Sequence, residues 1–160
     1  MPARPPLTIT VTMPLSFTDT ERRKVGEAVI DHIRTRSKRG IGVGGKQLKG
    51  PDGDGRYSDN YVDSSEFEAA GKTKGKVNLT FSGEMLFDME VQSTGPGRVV
   101  IGFSNSENSD KATFLKEKNY DWFGISEDER QMIVSRVVGG KVADIDTTLA
   151  SSFLQRLFRG

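Results

Sequence analysis

Residues 18–40 read TDTERRKVGEAVIDHIRTRSKRG, and this stretch predicts one long helix. Thr18 and Glu21 form a capping box, in which the Thr18 hydroxyl accepts a hydrogen bond from the Glu21 amide and the Glu21 side chain reaches back. Apolar side chains then recur every four residues and give the helix one face for packing. This stripe consists of Val25, Val29 and Ile33, widened by Ile30. The helix is predicted from about Asp19 to Ser37 and stops at Gly40, because glycine accepts the left-handed backbone conformation that ends helices.

Strand-like segments lie on both sides of this helix. Residues 7–13, LTITVTM, alternate apolar side chains with Thr, which is the period of a half-buried strand. Residues 76–91, KVNLTFSGEMLFDMEV, begin with the same alternation and continue with apolar residues at helical spacing as far as Met89, which predicts a strand and then one or two helical turns. Residues 98–103, RVVIGF, are β-branched and follow Gly95-Pro96-Gly97, which predicts a buried strand of the core sheet entered through a turn.

The C-terminal third predicts a loop and two helices. Residues 104–112, SNSENSDKA, have the composition of a polar loop. Ser126-Glu127-Asp128-Glu129 is a second capping box, and we expect its helix to run to about Val138 and to end at Gly139-Gly140. Residues 143–160 predict an amphipathic helix that packs on the core, docks on a partner or lies on a membrane surface. Its apolar face consists of Ile145, Leu149, Phe153 and Leu157, with Leu154 and Phe158 beside them.

Composition predicts one ordinary domain over residues 1–160 and excludes several kinds of chemistry. Hydrophobic residues make up 34% of the chain and charged residues 28%, which is enough for a modest core. The net charge of +1 gives no overall field that would attract nucleic acid or an anionic membrane. Cysteine is absent, which excludes disulfides, and the single histidine cannot build a histidine-based metal site. Without an apolar run long enough for a membrane span or an apolar signal core, we expect a soluble intracellular protein.

A long Gly-, Lys- and Ser-rich insert over residues 40–76 contains two nucleotide-binding patterns that lack their structural context. Residues 40–45 match G-x-G-x-x-G, and residues 40–46 match a phosphate-binding loop up to Gln47, where Ser or Thr is required. Both patterns need a preceding strand and a following helix, whereas here a helix precedes and a Gly-rich loop follows. A calcium loop beginning at Asp52 fails as well, since Tyr57 stands at its glycine position. We therefore predict no cofactor and no metal.

Other polar and aromatic residues also have plain structural interpretations. His32 is predicted to be an ordinary helix-surface histidine, with nothing at catalytic spacing to make it a general base. Trp122 and Phe123 lie just before the second capping box, where they either close the core as a hydrophobic staple, which we favour, or anchor a neighbour. The basic run over residues 34–49 lacks the interleaved aromatic residues of a nucleic-acid surface, so a solvated or subunit-facing role is simpler.

The order of these features resembles the small neck and tail-completion proteins that join head and tail in long-tailed bacteriophages. The pattern covers roughly residues 7–138 and includes the charged helix that ends in Arg36 and Gly40. Its pieces are TVTMPL at 10–15, GVGGKQL at 42–48, RYSDNYVDSSEFEAAGK at 56–72, KVNLTFSGEML at 76–86, VVIGF at 99–103 and DWFGISEDE at 121–129. None of these pieces is a catalytic signature.

The resemblance implies an α+β fold, with a small antiparallel sheet packed against the long N-terminal helix, a long extended loop and C-terminal helices. It also implies a non-enzymatic virion protein, with no catalytic residues, assembled in the cytoplasm of a bacterial host. Such proteins form homo-oligomeric rings, here a hexamer or dodecamer, that contact neck, portal-adaptor and tail proteins. The resemblance implies no membrane partner, and non-specific contact with DNA in the lumen of the ring stays an open alternative. We expect residues 40–76 to be a flexible or partner-ordered arm and residues 143–160 a docking helix. The candidate interface residues are Tyr57, Tyr61, Phe67, Trp122, Phe123, Phe153, Leu154, Leu157 and Phe158.

Three alternatives stay open. Within the same class, the chain could be a subunit of the tail tube or baseplate. From a second class, it could be a small DNA-binding protein that uses the basic segment 34–49, which predicts salt-sensitive affinity. From a third, it could be a phosphate-binding enzyme that uses residues 40–46, which predicts nucleotide binding that Lys46→Ala abolishes.

Overall fold

A computed structural model describes residues 4–48, 63–69 and 84–142 of the chain. The chain forms strand β1 (Ile9–Thr12), helix α1 (Asp19–Lys38), a 3₁₀ turn (Val43–Gly45), short helices α2 (Ser65–Ala69) and α3 (Glu84–Phe87), strands β2 (Met89–Gly95) and β3 (Arg98–Phe103), and helices α4 (Ser106–Glu117) and α5 (Glu127–Val142). The α+β class predicted from the sequence is confirmed, with a small antiparallel sheet against a long N-terminal helix. Within the described ranges, no helix is both long and apolar enough to cross a membrane.

The sheet has the order β1-β3-β2, and both pairings are antiparallel. β1 pairs with β3 from Ile9 opposite Ile101 to Thr12 opposite Arg98. The RVVIGF segment is thus the central strand, which explains its β-branched composition, because a strand paired on both edges and covered by a helix has little contact with water. The predictions of strands at the N-terminus and at residues 98–103 are confirmed.

Strand β2 corrects the prediction that helical spacing continues as far as Met89. The helix stops at Phe87, and Met89 already pairs with Phe103. Local spacing was misleading here because strand formation depends on the distant partner: a tight turn with Gly97 in the left-handed conformation (φ +69°) folds β2 back onto β3. An irregularity between Val91 and Ser93 interrupts the alternation that would otherwise have identified the strand.

Helix α1 forms as its sequence predicts and packs closely on the sheet. The Thr18 hydroxyl accepts a hydrogen bond from the Glu21 amide at 3.2 Å, and Gly40 has φ +75° just beyond the C-cap. The predicted apolar stripe is fully buried. A Cβ placed on Gly26 would lie 2.7 Å from Val91 and 2.9 Å from Val99, so this glycine lets the helix approach β2 and β3.

Two further predictions about helices are wrong. Residues 106–117, expected to begin as a polar loop, form α4, whose N-cap Asn105 accepts a hydrogen bond from the Glu107 amide at 2.8 Å. Few of its residues are buried, so it has no apolar stripe for a sequence pattern to detect. Helix α5 also continues through Gly139-Gly140 to Val142. Each glycine disfavours a helix by only about 1 kcal/mol relative to alanine, so a pair need not end one.

The insert expected to be an arm from residue 40 onward begins as part of the folded body. Residues 40–48 form a closed loop in which Ile41 bridges to Gln47 and the Leu48 amide donates to the Gly40 carbonyl at 2.9 Å. Leu48 is buried in the core, so the predicted arm does not begin before it. The rejected calcium loop at residues 52–63, the strand predicted at residues 77–81 and the helix predicted at 143–160 lie outside the described residues.

Candidate functional site

A buried ion pair joins α1 to α5. Arg36 is 5% exposed and Glu129 is 9% exposed, and the Arg36 Nη1 atom donates to Glu129 Oε2. The other terminal nitrogen of Arg36 donates to the carbonyl oxygens of Trp122, at 2.8 Å, and Gly124. Arg36 therefore binds one carboxylate and two main-chain acceptors, which suits the planar fork of a guanidinium.

The Glu129 carboxylate receives two further hydrogen bonds. The Gly44 amide donates to Oε1, and His32 Nε2 lies 3.1 Å from Oε2. An ionised carboxylate can only accept, so the contact assigns the donor role to His32 Nε2. We call Arg36, Glu129, His32 and the Gly44 amide the ion-pair network; it joins α1, the 40–48 loop, the 120–126 turn and α5.

Local sequence explains how the network is assembled. His32 and Arg36 are four residues apart and therefore share one face of α1. The Ser126 hydroxyl accepts a hydrogen bond from the Glu129 amide at 3.2 Å, which confirms the predicted N-cap and sets Glu129 in the first turn of α5. The glutamate side chain does not return to the Ser126 amide as the predicted capping box requires. It bonds to Arg36, His32 and Gly44 and so connects distant segments.

Burial and charge act in opposite directions on Arg36. Burial lowers the pKa of Arg36 from its ordinary value, while attraction to Glu129 and Asp121 opposes that change. An arginine remains protonated at any physiological pH, so the guanidinium is a buried cation that needs its carboxylate. We expect the removal of either partner to be far more damaging than the loss of an exposed ion pair.

Three aromatic rings pack beside the network. The ring centroids of Phe103, Trp122 and Phe123 are 5.1 to 6.2 Å apart, and all three residues are buried. The sequence offers two roles for Trp122 and Phe123, closing the core or anchoring a neighbour, and both rings lie buried in the core of this chain. The turn that carries them also provides both carbonyls bound by Arg36.

The 40–48 loop lies too close to the 120–126 turn for a larger residue at Gly42. A Cβ on Gly42 would lie 2.3 Å from the Asp121 carbonyl oxygen, and the Val43 amide donates to that oxygen at 2.9 Å. Beside it is a depression of about 180 Å³, lined by Val43, Lys46, Gln47, Leu48, Asn119 and Asp121. The Gly44 amide, which a phosphate-binding loop would direct at its ligand, instead donates to the Glu129 carboxylate.

The network has the chemistry of a structural brace. A carboxylate that already accepts from a guanidinium, an imidazole and an amide has little capacity left to take a proton from a substrate. In the described ranges, no group of three His, Asp or Glu residues is placed to hold a metal ion. His32, predicted to be an ordinary surface histidine, is half-buried and belongs to the network.

Part of the basic run over residues 34–49 is not available to bind a partner or nucleic acid, because Arg34 and Arg36 already bind groups within the chain. Arg36 is buried in the network, and Arg34 donates to three carbonyl oxygens at the end of α3 and the start of β2. Lys38, Arg39 and Lys46 are exposed. The structure also brings an aromatic ring to this run, since Phe87 lies 4.6 Å from Lys38 Nζ.

Tyr57, Tyr61 and the terminal set Phe153, Leu154, Leu157 and Phe158 lie outside the described residues, as does the side chain of Phe67. Sequence reasoning missed Arg36, Glu129 and His32 as a group, and the only local signal was the four-residue spacing of His32 and Arg36. Comparisons with protein-family models, curated proteins and solved structures found no match to this chain.

Proposed function

We propose that this chain is a structural virion protein of a tailed bacteriophage that forms an oligomeric ring in the neck or tail-completion region and joins head to tail. One observation carries the proposal. Three of the separate segments on which the resemblance rests meet in the ion-pair network: the helix ending in Arg36, the GVGGKQL segment with Gly44, and the DWFGISEDE segment with Glu129. These three pieces of the pattern therefore belong to one spatial unit of the fold.

The role of that unit is to hold geometry. It fixes the start of the long insert, through Gly40 to Leu48, against the N-terminus of α5. In a ring, each subunit meets the next through unlike surfaces, so small errors in the subunit's shape accumulate around the circle. A buried network of charge-assisted hydrogen bonds favours a single arrangement of the segments it joins.

In this proposal, partner contacts come from the insert beyond Leu48 and from the C-terminal segment. Tyr57, Tyr61 and Phe67 are the candidate anchors to a neighbouring subunit, and residues 143–160 are the candidate contact with the next layer of the neck or tail. Assembly on unlike neighbours requires no cofactor. Non-specific contact with DNA in the lumen of the ring stays an open alternative.

The test is deletion of the gene from the phage or prophage genome that carries it, followed by electron microscopy of the lysate. We expect separate heads and tails to accumulate, and the wild-type gene supplied in trans to restore joined particles. A tagged copy should be located by gold labelling at the head–tail junction. Intact infectious particles from the deletion strain, or label elsewhere on the particle, would overturn the proposal.

A further inference from the structure

Phe87 is a large aromatic side chain held in an exposed position. It is 61% exposed, and its ring centroid lies 4.6 Å from Lys38 Nζ and 5.5 Å from Arg34 Cζ. Arg34 also fixes the backbone beneath the ring, because its guanidinium donates to the carbonyl oxygens of Leu86 at 2.6 Å, Phe87 at 2.7 Å and Met89 at 3.2 Å. Phe87, Arg34 and Lys38 form what we call the Phe87 patch. A preorganised aromatic ring beside cations is a favourable binding anchor, because little conformational entropy remains to be lost.

Leu15 is exposed at the opposite end of the sheet. It is 78% exposed, and its side chain lies against the β2–β3 turn, where a Cβ on Gly97 would be 2.9 Å from Leu15 Cδ2. That turn joins the end of β2 to the start of β3, whereas Phe87 lies just before the start of β2. The two exposed apolar side chains are therefore separated by the length of the sheet.

Carboxylates lie on the Leu15 side of the molecule. Arg130 donates to the Thr12 carbonyl, three residues before Leu15, at 3.0 Å, and also binds Glu127. This places the Glu127 carboxylate near the end of β1, and Asp128, the next residue along the chain, is exposed. The arginines nearby are already engaged: Arg22 donates to the Phe17 carbonyl, and Arg23 pairs with Asp19 at 3.2 Å. Arg98 is also exposed at this end and leaves the charge mixed.

The two surfaces also lie on opposite flanks of α1. Arg34 reaches α3 and β2, whereas Arg36, two residues further and about 200° around the helix, reaches α5. A surface and its complement at different places on one subunit make a head-to-tail contact that can repeat from copy to copy.

From this arrangement we infer that the Phe87 patch of one copy docks on the Leu15 end of a second copy. The Leu15 end consists of Leu15 with the exposed carboxylates Glu127 and Asp128, which face Lys38 of the first copy. The inference rests on the proposed ring-forming function and names the surfaces for it among the described residues. It pairs apolar with apolar and cation with carboxylate, which sets both register and orientation.

The experiment is sedimentation velocity of the full chain over a range of concentrations. We expect wild type to self-associate, and Phe87→Ser, Leu15→Ser and Lys38→Glu each to raise the concentration needed by at least about tenfold, as for loss of an interface anchor. Phe114→Ser is the matched control, since Phe114 is 54% exposed with Lys118 5.6 Å from its ring but belongs to neither surface. The control should associate as wild type does.

Two mixing experiments test the head-to-tail pairing. Phe87→Ser and Leu15→Ser proteins each retain one intact surface, so their mixture should form dimers and stop there. The double variant Lys38→Glu/Asp128→Lys should recover part of the association lost in Lys38→Glu alone. A wild type that stays monomeric, equal association by all variants, or loss in Phe114→Ser alone would overturn the inference. Loss of DNA-oligonucleotide binding by Phe87→Ser with association unchanged would reassign the patch to nucleic acid and also overturn it.

Failure of this inference can be distinguished from failure of the proposed function. If the gene is needed for joined particles but Phe87→Ser associates and complements normally, the ring function stands and these surfaces are wrong. If the gene is dispensable for particles, the proposed function fails, whatever the protein does in solution.

Discussion

Two arginines, two residues apart on α1, bind neighbouring segments on opposite sides of that helix, and their environments differ. Arg36 is buried and binds two carbonyl oxygens together with the Glu129 carboxylate. Arg34 is partly exposed and binds three carbonyl oxygens, and among the described residues no ion pair links it to a carboxylate. Each guanidinium fastens a neighbouring turn to the helix.

The difference shows when a carbonyl-binding arginine needs a counter-charge. Carbonyl dipoles and water suffice for a cation that keeps contact with solvent, whereas a desolvated cation needs an opposite charge close by. Arg36 therefore brings Glu129 into the structure, and Glu129 in turn binds His32 and the Gly44 amide. The network on the buried flank follows from placing one cation in the core.

Glu129→Ala is expected to have the largest effect. It leaves the Arg36 guanidinium buried without a counter-charge and should lower the free energy of unfolding by about 3–5 kcal/mol. Urea denaturation measures the loss. Glu127→Ala, which removes an exposed carboxylate two residues earlier that pairs with Arg130, should change stability little. Replacing both charges, in Arg36→Met/Glu129→Leu, should recover much of the stability; if the double variant were as unstable as Glu129→Ala, the counter-charge argument would be wrong.

Gly42→Ala should have the next largest effect and lower the free energy of unfolding by about 3 kcal/mol, because the new methyl group would meet a backbone oxygen that cannot easily move. Gly45→Ala is the matched control: nothing lies within 4 Å of its Cβ, but its φ of +77° is strained for alanine, so we expect a loss of about 1 kcal/mol. Thermal unfolding of both variants gives the comparison. Equal losses would contradict the steric explanation, because Gly42 has φ −100° and left-handed strain cannot account for its loss.

Arg34→Ala tests the exposed flank and should lower stability by about 1.5 kcal/mol, since water replaces part of what the three carbonyls lose. Arg34→Lys should restore little, because a lysine has no planar fork to reach several acceptors. Arg39→Ala, at the exposed end of the same helix, provides the baseline. A loss as large as that of Glu129→Ala would remove the contrast between the two flanks.

Asp88 gives the smallest expected effect, and one that depends on pH. Burial acts to raise the pKa of Asp88, but hydrogen bonds from Ser104, the Asn105 amide and Asn108 outweigh it and hold the pKa below its ordinary value. The carboxylate therefore stabilises the fold above pH about 3.9 and loses that contribution as the pH falls through the folded-state pKa.

Asp88→Asn should thus lower stability by about 1 kcal/mol at pH 7, after allowance for solvent screening, and the difference from wild type should shrink at lower pH. Unfolding free energies measured at pH 7 and at pH about 3 test this. Ser104→Ala should remove part of the same pH-dependent difference. A difference that grows on acidification would reverse the assigned direction of the pKa shift.

Much of the fold is predictable from local sequence. β1, α1 and β3 are each specified by their own residues: alternation, a capped apolar stripe, and a β-branched run after a turn. The α+β class follows from them. β2 and α4 are not predictable in this way, because Met89–Gly95 becomes a strand only through its partner β3, and α4 carries no apolar stripe.

The ion-pair network is the part that sequence reasoning misses. Arg36 and Glu129 are separated by 93 residues, and no local sequence pattern around either residue predicts that they pair. Each has a sufficient local explanation, as a charged residue near a helix end and as part of a capping box. Burial, which turns these ordinary residues into a pair, exists only after the chain has folded.

The sheet order has a consequence for the time course of folding. β1 is synthesised early, yet its partner in the sheet is β3, so Ile9 cannot pair until Ile101 has been synthesised. On a ribosome, α1 emerges with its apolar stripe long before the strands that cover it have been synthesised. Closing so long a loop is slow, and the uncovered stripe is meanwhile open to wrong partners. We therefore expect productive folding to begin when the β2–β3 hairpin leaves the ribosome, with β1 and α1 docking onto it together.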